Sequence, residues 1–283
     1  MEFKPFQVYS LLSVRSLYTV HHMNFSSGFS FAGERHDFWE FNYILDGSAG
    51  ATSNDNVYIC HAGDAFLHAP NQYHTLWVNE HDACEIFTIT FDGTGLEHKL
   101  SPGQYQLTEE EKHHVEGILS KLDRLFENYN TIDFVQLAGT SSPNNAGYQM
   151  IKNYLELLCL SLIQRGHDLH GTPLSDADSL CYAKITSFLR DNIEEKLTLD
   201  DICRGVYESP AKVKEVFRRF TNGGVMHYFH QMRCEHIMRL ISEGHSIKSI
   251  AETMHFSSPY YLSYFFKRET GIPPAEYKKR QRR

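Results

Sequence analysis

A chain of 283 residues, 41% apolar and 22% charged, has the composition of an ordinary water-soluble globular protein and length enough for two domains with separate cores. No run approaches the roughly 20 apolar residues of a membrane helix, and no basic-then-apolar leader opens the chain. A cytoplasmic protein with no membrane partner is therefore expected, and the net charge of −8, taken over the whole chain, argues against nucleic acid.

The first 25 or so residues are expected to form an arm. From about 25 to 92 the chain is a series of short apolar or aromatic runs at 38–45, 56–60, 65–68, 75–78 and 84–91. Asp46-Gly47, Asn54-Asp55, Ala62-Gly63-Asp64 and Pro70-Asn71 punctuate them. That spacing predicts a small β-barrel or jelly roll. Helices follow. Thr108 and Glu111 form a capping box ahead of Val115, Ile118, Leu119, Leu122, Leu125, Phe126 and Tyr129, which keep helical spacing. Residues 130–147, rich in Asn, Ser, Gly and Thr, predict a loop. A second helix over about 146–165 carries Ile151, Tyr154, Leu155, Leu158, Leu162 and Ile163. Apolar on more than one side, it predicts packing on the barrel and on a second copy of the chain, a homodimer. The stretch 166–179 is a linker in composition. The division is an N-terminal domain over 1–166, a linker over 167–180 and a helical domain over 181–283, an α+β chain. Six scattered cysteines without a Cys-x-x-Cys pair predict reduced thiols.

The helical third, whose first helix is expected from Ala183, contains one pattern twice. Leu199–Val206 leads through a short turn to Ser209-Pro210 and the amphipathic run Ala211–Arg219. Ile247–Met254 leads through a turn one residue longer to Ser258-Pro259 and Tyr260–Arg268. Ser supplies an N-cap oxygen, and Pro suits the first helical position, where its missing N–H has no partner anyway. A helix over about 224–243 stands between the repeats as a spacer. Charge agrees with this layout. From residue 182 onward 18 Lys+Arg face 12 Asp+Glu, a net of +6, while the preceding residues carry −14. Five of those basic charges belong to the tail Lys278–Arg283.

Ile250-Ala251, Phe256-Ser257, Pro259-Tyr260-Tyr261-Leu262-Ser263, Phe266-Lys267, Gly271, Pro274 and Tyr277 together resemble the C-terminal signature of the AraC/XylS family of bacterial transcription regulators. The resemblance covers about a hundred residues. It implies a double reader of double-stranded DNA whose recognition helices, here about 210–219 and 259–268, enter successive major grooves of a bipartite promoter site. Val213, Val216, Phe217, Leu262, Phe265 and Phe266 would then be core. Ala211, Lys214, Glu215, Arg218, Tyr260, Tyr261, Ser263 and Tyr264 would face DNA. Lys212, Arg219, Lys267 and the helix starts at Ser209 and Ser258 would hold phosphates. Glu215 and Tyr264 stand where the family commonly has Arg; Glu can accept from cytosine N4, and Tyr can stack or touch a thymine methyl. His255 occupies a turn position where the family has Gly, so a positive φ is expected there. Asn222 takes the Gly position of the first repeat.

Gly28, Glu34-Arg35-His36, Glu40 and Gly47, followed by Gly63-Asp64, Pro70 and His74, resemble the two cupin motifs. In metal cupins the motifs supply three histidines and a glutamate. Here Glu34 replaces the first histidine, which leaves Glu34, His36, Glu40 and His74 as a possible ligand set. The reading adopted is a metal-free, cofactor-free sensory cupin. His36, Glu40 and His74 would hydrogen-bond a small effector, a sugar or related polar metabolite, with Trp39 and Tyr43 offering ring faces. His61, His68 and His81 are expected at the surface, in strands or in turns, with no function. The resemblance further implies RNA polymerase as a partner and activation as the sign. The alternative is a metal-dependent cupin enzyme with an accessory helical domain; no phosphate loop, nucleophile elbow or H-E-x-x-H motif supports an enzyme.

Overall fold

A computed structural model describes residues 5–53, 55–78, 82–125, 135–136, 146–166, 174–221 and 223–280. The chain forms two compact units, Met1–Leu174 and Ser175–Arg283. No helix among the described residues is long and apolar enough to cross a membrane.

The first unit is built on strands β1 (Ser13–Phe25), β2 (Ser30–Glu34), β3 (Trp39–Ser53), β4 (Asn56–His61), β5 (Asp64–His68), β6 (His74–Trp77), β7 (Cys84–Thr94) and β8 (Gly103–Gln106), with a short β9 (Val135–Gln136). All pairings are antiparallel, and β3 organises them. Its first half pairs with β5 and β7; its second half, from Ser48, pairs with β4 and β6. The Asp46-Gly47 step, expected as a turn, instead continues this strand, directly after a register shift between Ile44 and Asp46. Gly47 has φ 77°, and a Cβ there would lie 1.8 Å from the Ala83 carbonyl oxygen. Only glycine permits that approach. The arm expected over the first 25 residues is mostly β1, paired along β7 with two register shifts. β2 and β8 are likewise strands not anticipated, and Val135–Gln136 pairs with β1 inside the expected loop.

Helices α1 (Glu109–Leu125) and α2 (Ala146–Arg165) cover one face of the sheet. The shared core holds Trp39, Phe41, Phe87, Ile89, Val115, Ile118, Leu155 and Leu158. The capping box is present: Thr108 N–H donates to Glu111 at 2.8 Å, and Thr108 Oγ1 accepts from Glu111 N–H at 3.3 Å. Glu111 is fully buried and also receives Ser161 Oγ at 2.9 Å and the Arg165 guanidinium from α2. One carboxylate therefore starts α1 and fastens α2 to it. Met150 and Leu157 remain exposed on α2.

The second unit consists of α3 (Ala177–Asp191), α4 (Leu199–Val206), α5 (Pro210–Thr221), α6 (Val225–Ser242), α7 (Ile247–Thr253), α8 (Pro259–Thr270) and α9 (Pro274–Arg280). Helix α3 begins six residues before the expected Ala183, because Asp176 caps it by accepting from Ser179 N–H at 2.7 Å. Gly205 lets α4 pack on α3; a Cβ there would stand 2.2 Å from the Phe188 ring. All six cysteines are free and buried. Phe126, Tyr129, His81, Asn222, Asn54, 281–283 and most of the expected loop and linker lie outside the described residues.

Replacing Glu111 by Ala strands Ser161 and Arg165 beside a cavity. We expect a loss of about 3 kcal/mol, the scale for breaking one side of a buried pair, read as a lowered denaturation midpoint in urea.

Candidate nucleic-acid interface and polar cluster

Each repeat begins with a capped short helix. Thr198 and Asp201 cap α4 reciprocally, and Ser246 caps α7 by accepting from Ser249 N–H. Both turns then use a left-handed residue. Tyr207 has φ 56° in the first, and His255 has φ 53° in the second, as its place in the motif predicts. The second helices start on the two Ser-Pro steps. Ser209 Oγ accepts from Lys212 N–H and Ser258 Oγ from Tyr261 N–H, each at 3.1 Å.

Helical spacing then separates two faces. Val213, Val216, Phe217 and Phe220 of α5 are buried, as are Leu262, Phe265 and Phe266 of α8. Ala211, Lys214, Glu215 and Arg218 face solvent on α5. On α8 the outward face is aromatic: Tyr260, Tyr261 and Tyr264 are 81, 48 and 56% exposed. Tyr261 and Tyr264 stack with centroids 6.3 Å apart. Lys267 is exposed beside them, and Ser263 is half-buried, donating its hydroxyl to Pro259 O at 2.8 Å. Three large rings held in water on one helical face form a contact surface with unspent apolar area.

Lys212 and Arg219 differ from the other basic residues of α5. Lys212 Nζ donates to Asp178, and Arg219 to Asp178 at 2.5 Å and to Asp176 at 3.4 Å. These bonds hold the Asp178 carboxyl below its usual range. The two cations fasten α5 to the start of α3, so their charge is already partly compensated within the unit.

The spacer α6 carries a residue that the sequence does not single out. Arg233 is buried and donates to the carbonyls of Glu195 (2.5 Å) and Glu194 (3.5 Å), and to Met254 O. Its guanidinium also lies over the Phe256 ring, 4.8 Å from the centroid. Glu194 and Glu195 follow α3, the first helix of the helical unit; Met254 closes α7. One side chain thus joins the two halves of the helical unit.

In the first unit the residues nominated for a pocket divide by parity along β3. Trp39 and Tyr43 point with Phe41 into the core beneath α1 and α2. Glu40 and Asn42 point to the other face, since successive strand residues alternate. The structure therefore does not bring Trp39 and Tyr43 to His36, Glu40 and His74, and their nomination is corrected on that ground. What it assembles is a polar cluster. Glu34, His36, Glu40 and His74 have donor atoms all within 4.8 Å of one another. His36 Nδ1 donates to Phe38 O at 2.9 Å and His74 Nδ1 to Gln72 O at 2.9 Å. His36 Nε2 lies 3.1 Å from Glu40 Oε2. Asn42 donates to Glu40 Oε1 at 2.8 Å, and Thr88 Oγ1 to Asn42 Oδ1 at 2.6 Å.

Burial pushes the Glu40 carboxyl up, but the imidazoles of His74, His36 and His68 outweigh it and hold it well below the usual carboxylate range. Glu34 is raised by burial and by the charge of Glu40. His68, to which the sequence attaches no function, ends β5 and is buried with its ring stacked 4.0 Å from His74. Burial and the neighbouring His74 push it well below the ordinary histidine value, so it is neutral. Antiparallel register places it opposite Glu40. Asn42, Thr88 and His68 are thus cluster residues that sequence alone misses; parity from Glu40 identifies the first. His61 is exposed, as expected.

Comparison with known proteins bears on both regions. The family model described as "AraC-like ligand binding domain" matches residues 20–153, and that described as "Helix-turn-helix domain" matches 202–280. The chain belongs to the AraC/XylS family. A curated relative, the HTH-type transcriptional activator RhaR of Yersinia pseudotuberculosis, is 25% identical over 268 residues, covering 89% of this chain and 86% of the relative. The Msm operon regulatory protein of Streptococcus mutans is 24% identical over 254 residues, covering 89% and 88%. Among solved structures, unsaturated fatty acid bound ToxT of Vibrio cholerae aligns with TM-score 0.37 at 16% identity, covering 94% of this chain and 96% of that one. This AraC-family chain is a transcription regulator with a ligand-binding domain and a helix–turn–helix domain, and it is not an enzyme.

Arg233→Met keeps the aliphatic length but leaves the carbonyls without their donor. Stability to urea should fall by about 2–3 kcal/mol, the scale of hydrogen bonds to a charged group. Circular dichroism should show the helices retained.

Proposed function

We propose that this regulator activates transcription from a bipartite site, in response to a small polar effector bound at the Glu40 cluster. The carrying observation is the pairing of two solvent-facing second helices, α5 and α8, with apolar inner faces anchored on one spacer. Lys214, Glu215 and Arg218 supply polar readers on one, while Tyr260, Tyr261, Ser263 and Tyr264 supply stacking and methyl contacts on the other. Lys267 and the capped helix starts at Ser209 and Ser258 take phosphates. Lys212 and Arg219 reach phosphate only by sharing with Asp178 and Asp176.

Activation is supported by similarity to the transcriptional activator RhaR, and recruitment of RNA polymerase by the family resemblance alone. A sugar or related polyhydroxyl metabolite is supported by the chemistry of the cluster: imidazoles, a carboxylate, an amide and hydroxyls on one face. A homodimer is supported by Met150 and Leu157, exposed apolar side chains on α2.

The test is fluorescence anisotropy with the full chain on a site obtained by in vitro selection. Affinity should fall steeply with salt. Arg218→Ala should either weaken all sequences and reduce the salt slope by about one, or cost about 1–3 kcal/mol at one base position. An affinity unchanged by Arg218→Ala together with Tyr261→Ala would overturn the assignment of these faces. His36→Ala should abolish the response to an effector found by thermal-shift screening of sugars and polar metabolites, and leave effector-free DNA binding intact.

A further inference from the structure

Asp178 joins two cations of α5 through its two oxygens. Oδ1 accepts from Lys212 Nζ and Oδ2 from the Arg219 guanidinium at 2.5 Å, while Asp176 Oδ2 accepts from Arg219 at 3.4 Å. Lys212 and Arg219 are seven residues apart, so they share one flank of α5, about a quarter turn from the outward row Ala211, Glu215 and Arg218. On a helix lying in a groove, that flank meets the phosphates along the groove edge. Both cations stay within reach of water, with side chains 33 and 47% exposed. A carboxylate that offers one oxygen to each of two cations presents them with what a backbone phosphate presents: negative charge on two free oxygens.

The two helices have other means of holding together. Asp176, not Asp178, caps α3 by accepting from Ser179 N–H. Buried Tyr182 of α3 has its ring centroid 5.4 Å from that of Phe217 and 5.6 Å from that of Phe220, both on α5. This apolar contact seats one helix on the other. Ion pairs with partly exposed members contribute little stability, so exchanging one anion for another costs little.

We propose that Asp178 is an internal stand-in for DNA phosphate. It holds Lys212 and Arg219 in the free protein and yields them to a backbone phosphate when α5 enters the groove. The carboxylate therefore competes with DNA and restrains affinity. Its place at the start of the helical unit, in the first turn of α3, makes the restraint adjustable. Drawing that turn away from α5 removes the competitor and frees both cations. This competition rests on the reading of α5 as a DNA-facing helix, under which Lys212 and Arg219 are shared between aspartate and phosphate. What is added is that the two anions exclude each other.

The test is fluorescence anisotropy of the full chain on its selected site across a salt series. Asp178→Asn should tighten binding about three- to tenfold and steepen the fall of log affinity with log salt by about one to two, at about 0.9 per phosphate gained. Lys212→Gln in the Asp178→Asn chain should reverse most of that gain. Asp200→Asn removes the same charge from an exposed position on α4. It should change affinity by less than about twofold, since exposed charges are screened. Asp178→Asn keeps the side-chain size and leaves the Asp176 cap in place; Asp178→Ser is read the same way if the first variant is unstable in urea. Unchanged or weaker binding overturns the proposal, because a carboxylate retained in the complex is a brace and not a competitor. A gain equalled by Asp200→Asn overturns it as well. Selective binding by the parent without a gain in the variants sinks the competition and keeps the regulator. Absence of selective DNA binding in every chain removes the reading of α5, and the competition with it.

Discussion

A single buried guanidinium holds the helical unit in one frame. Arg233 has no carboxylate within its hydrogen-bond set; its charge is met by backbone carbonyls from the segment after α3 and from the end of α7. The second of these is a helix C-terminus, where the backbone dipole already favours a cation. Burial lowers its affinity for a proton, yet the group stays charged because it titrates so far above neutrality. Because Arg233 sits on α6, the helix that separates the repeats, its bonds tie the turn of the second repeat to the first helix of the unit. A double reader requires two recognition helices at a fixed separation, and this contact supplies a rigid reference for both. The ion pairs from Asp176 and Asp178 to Lys212 and Arg219 act at the other end, seating α5 against α3.

The sheet unit reaches its function through one strand with two faces. Along β3, odd residues Trp39 and Phe41 are core beneath the helices, and even residues Glu40 and Asn42 meet histidines and Thr88 on the far side. The apolar face stabilises the unit. The polar face costs stability, since a buried carboxylate and buried imidazoles give up water and must be compensated by partners. Such a concentration of perturbed groups is a mark of a site rather than of a scaffold. In this family the sheet domain is the ligand-binding part, and the cluster is the site proposed for it.

How much was legible in the sequence follows the range of the interactions. The two repeats were, because caps, Ser-Pro starts and apolar spacing are local: Ser258, His255 and the buried Leu262, Phe265 and Phe266 all stand as their motif requires. The capping box of Thr108 and Glu111 was legible for the same reason. Strand β1 was not, because two register shifts break its alternation and its burial comes only from pairing with β7. His68 was not, because its place opposite Glu40 depends on antiparallel register. Arg233 has the look of an ordinary solvated charge on a helix until the carbonyls from two distant segments are in view. Trp39 and Tyr43 were a different failure: the alternation that removes them from the cluster was present in the sequence and outweighed by their chemical suitability. Lys212 and Arg219 were assigned without Asp176 and Asp178, since the expected start of the helix left those aspartates in the linker.

The central claim is that α5 and α8 contact one segment of duplex together. Chemical interference mapping of the full chain on its selected site tests this most directly. The account predicts two major-groove patches on the same face of the duplex, centred about one helical turn, 10–10.5 base pairs, apart. A single patch, or two patches on opposite faces, would contradict it.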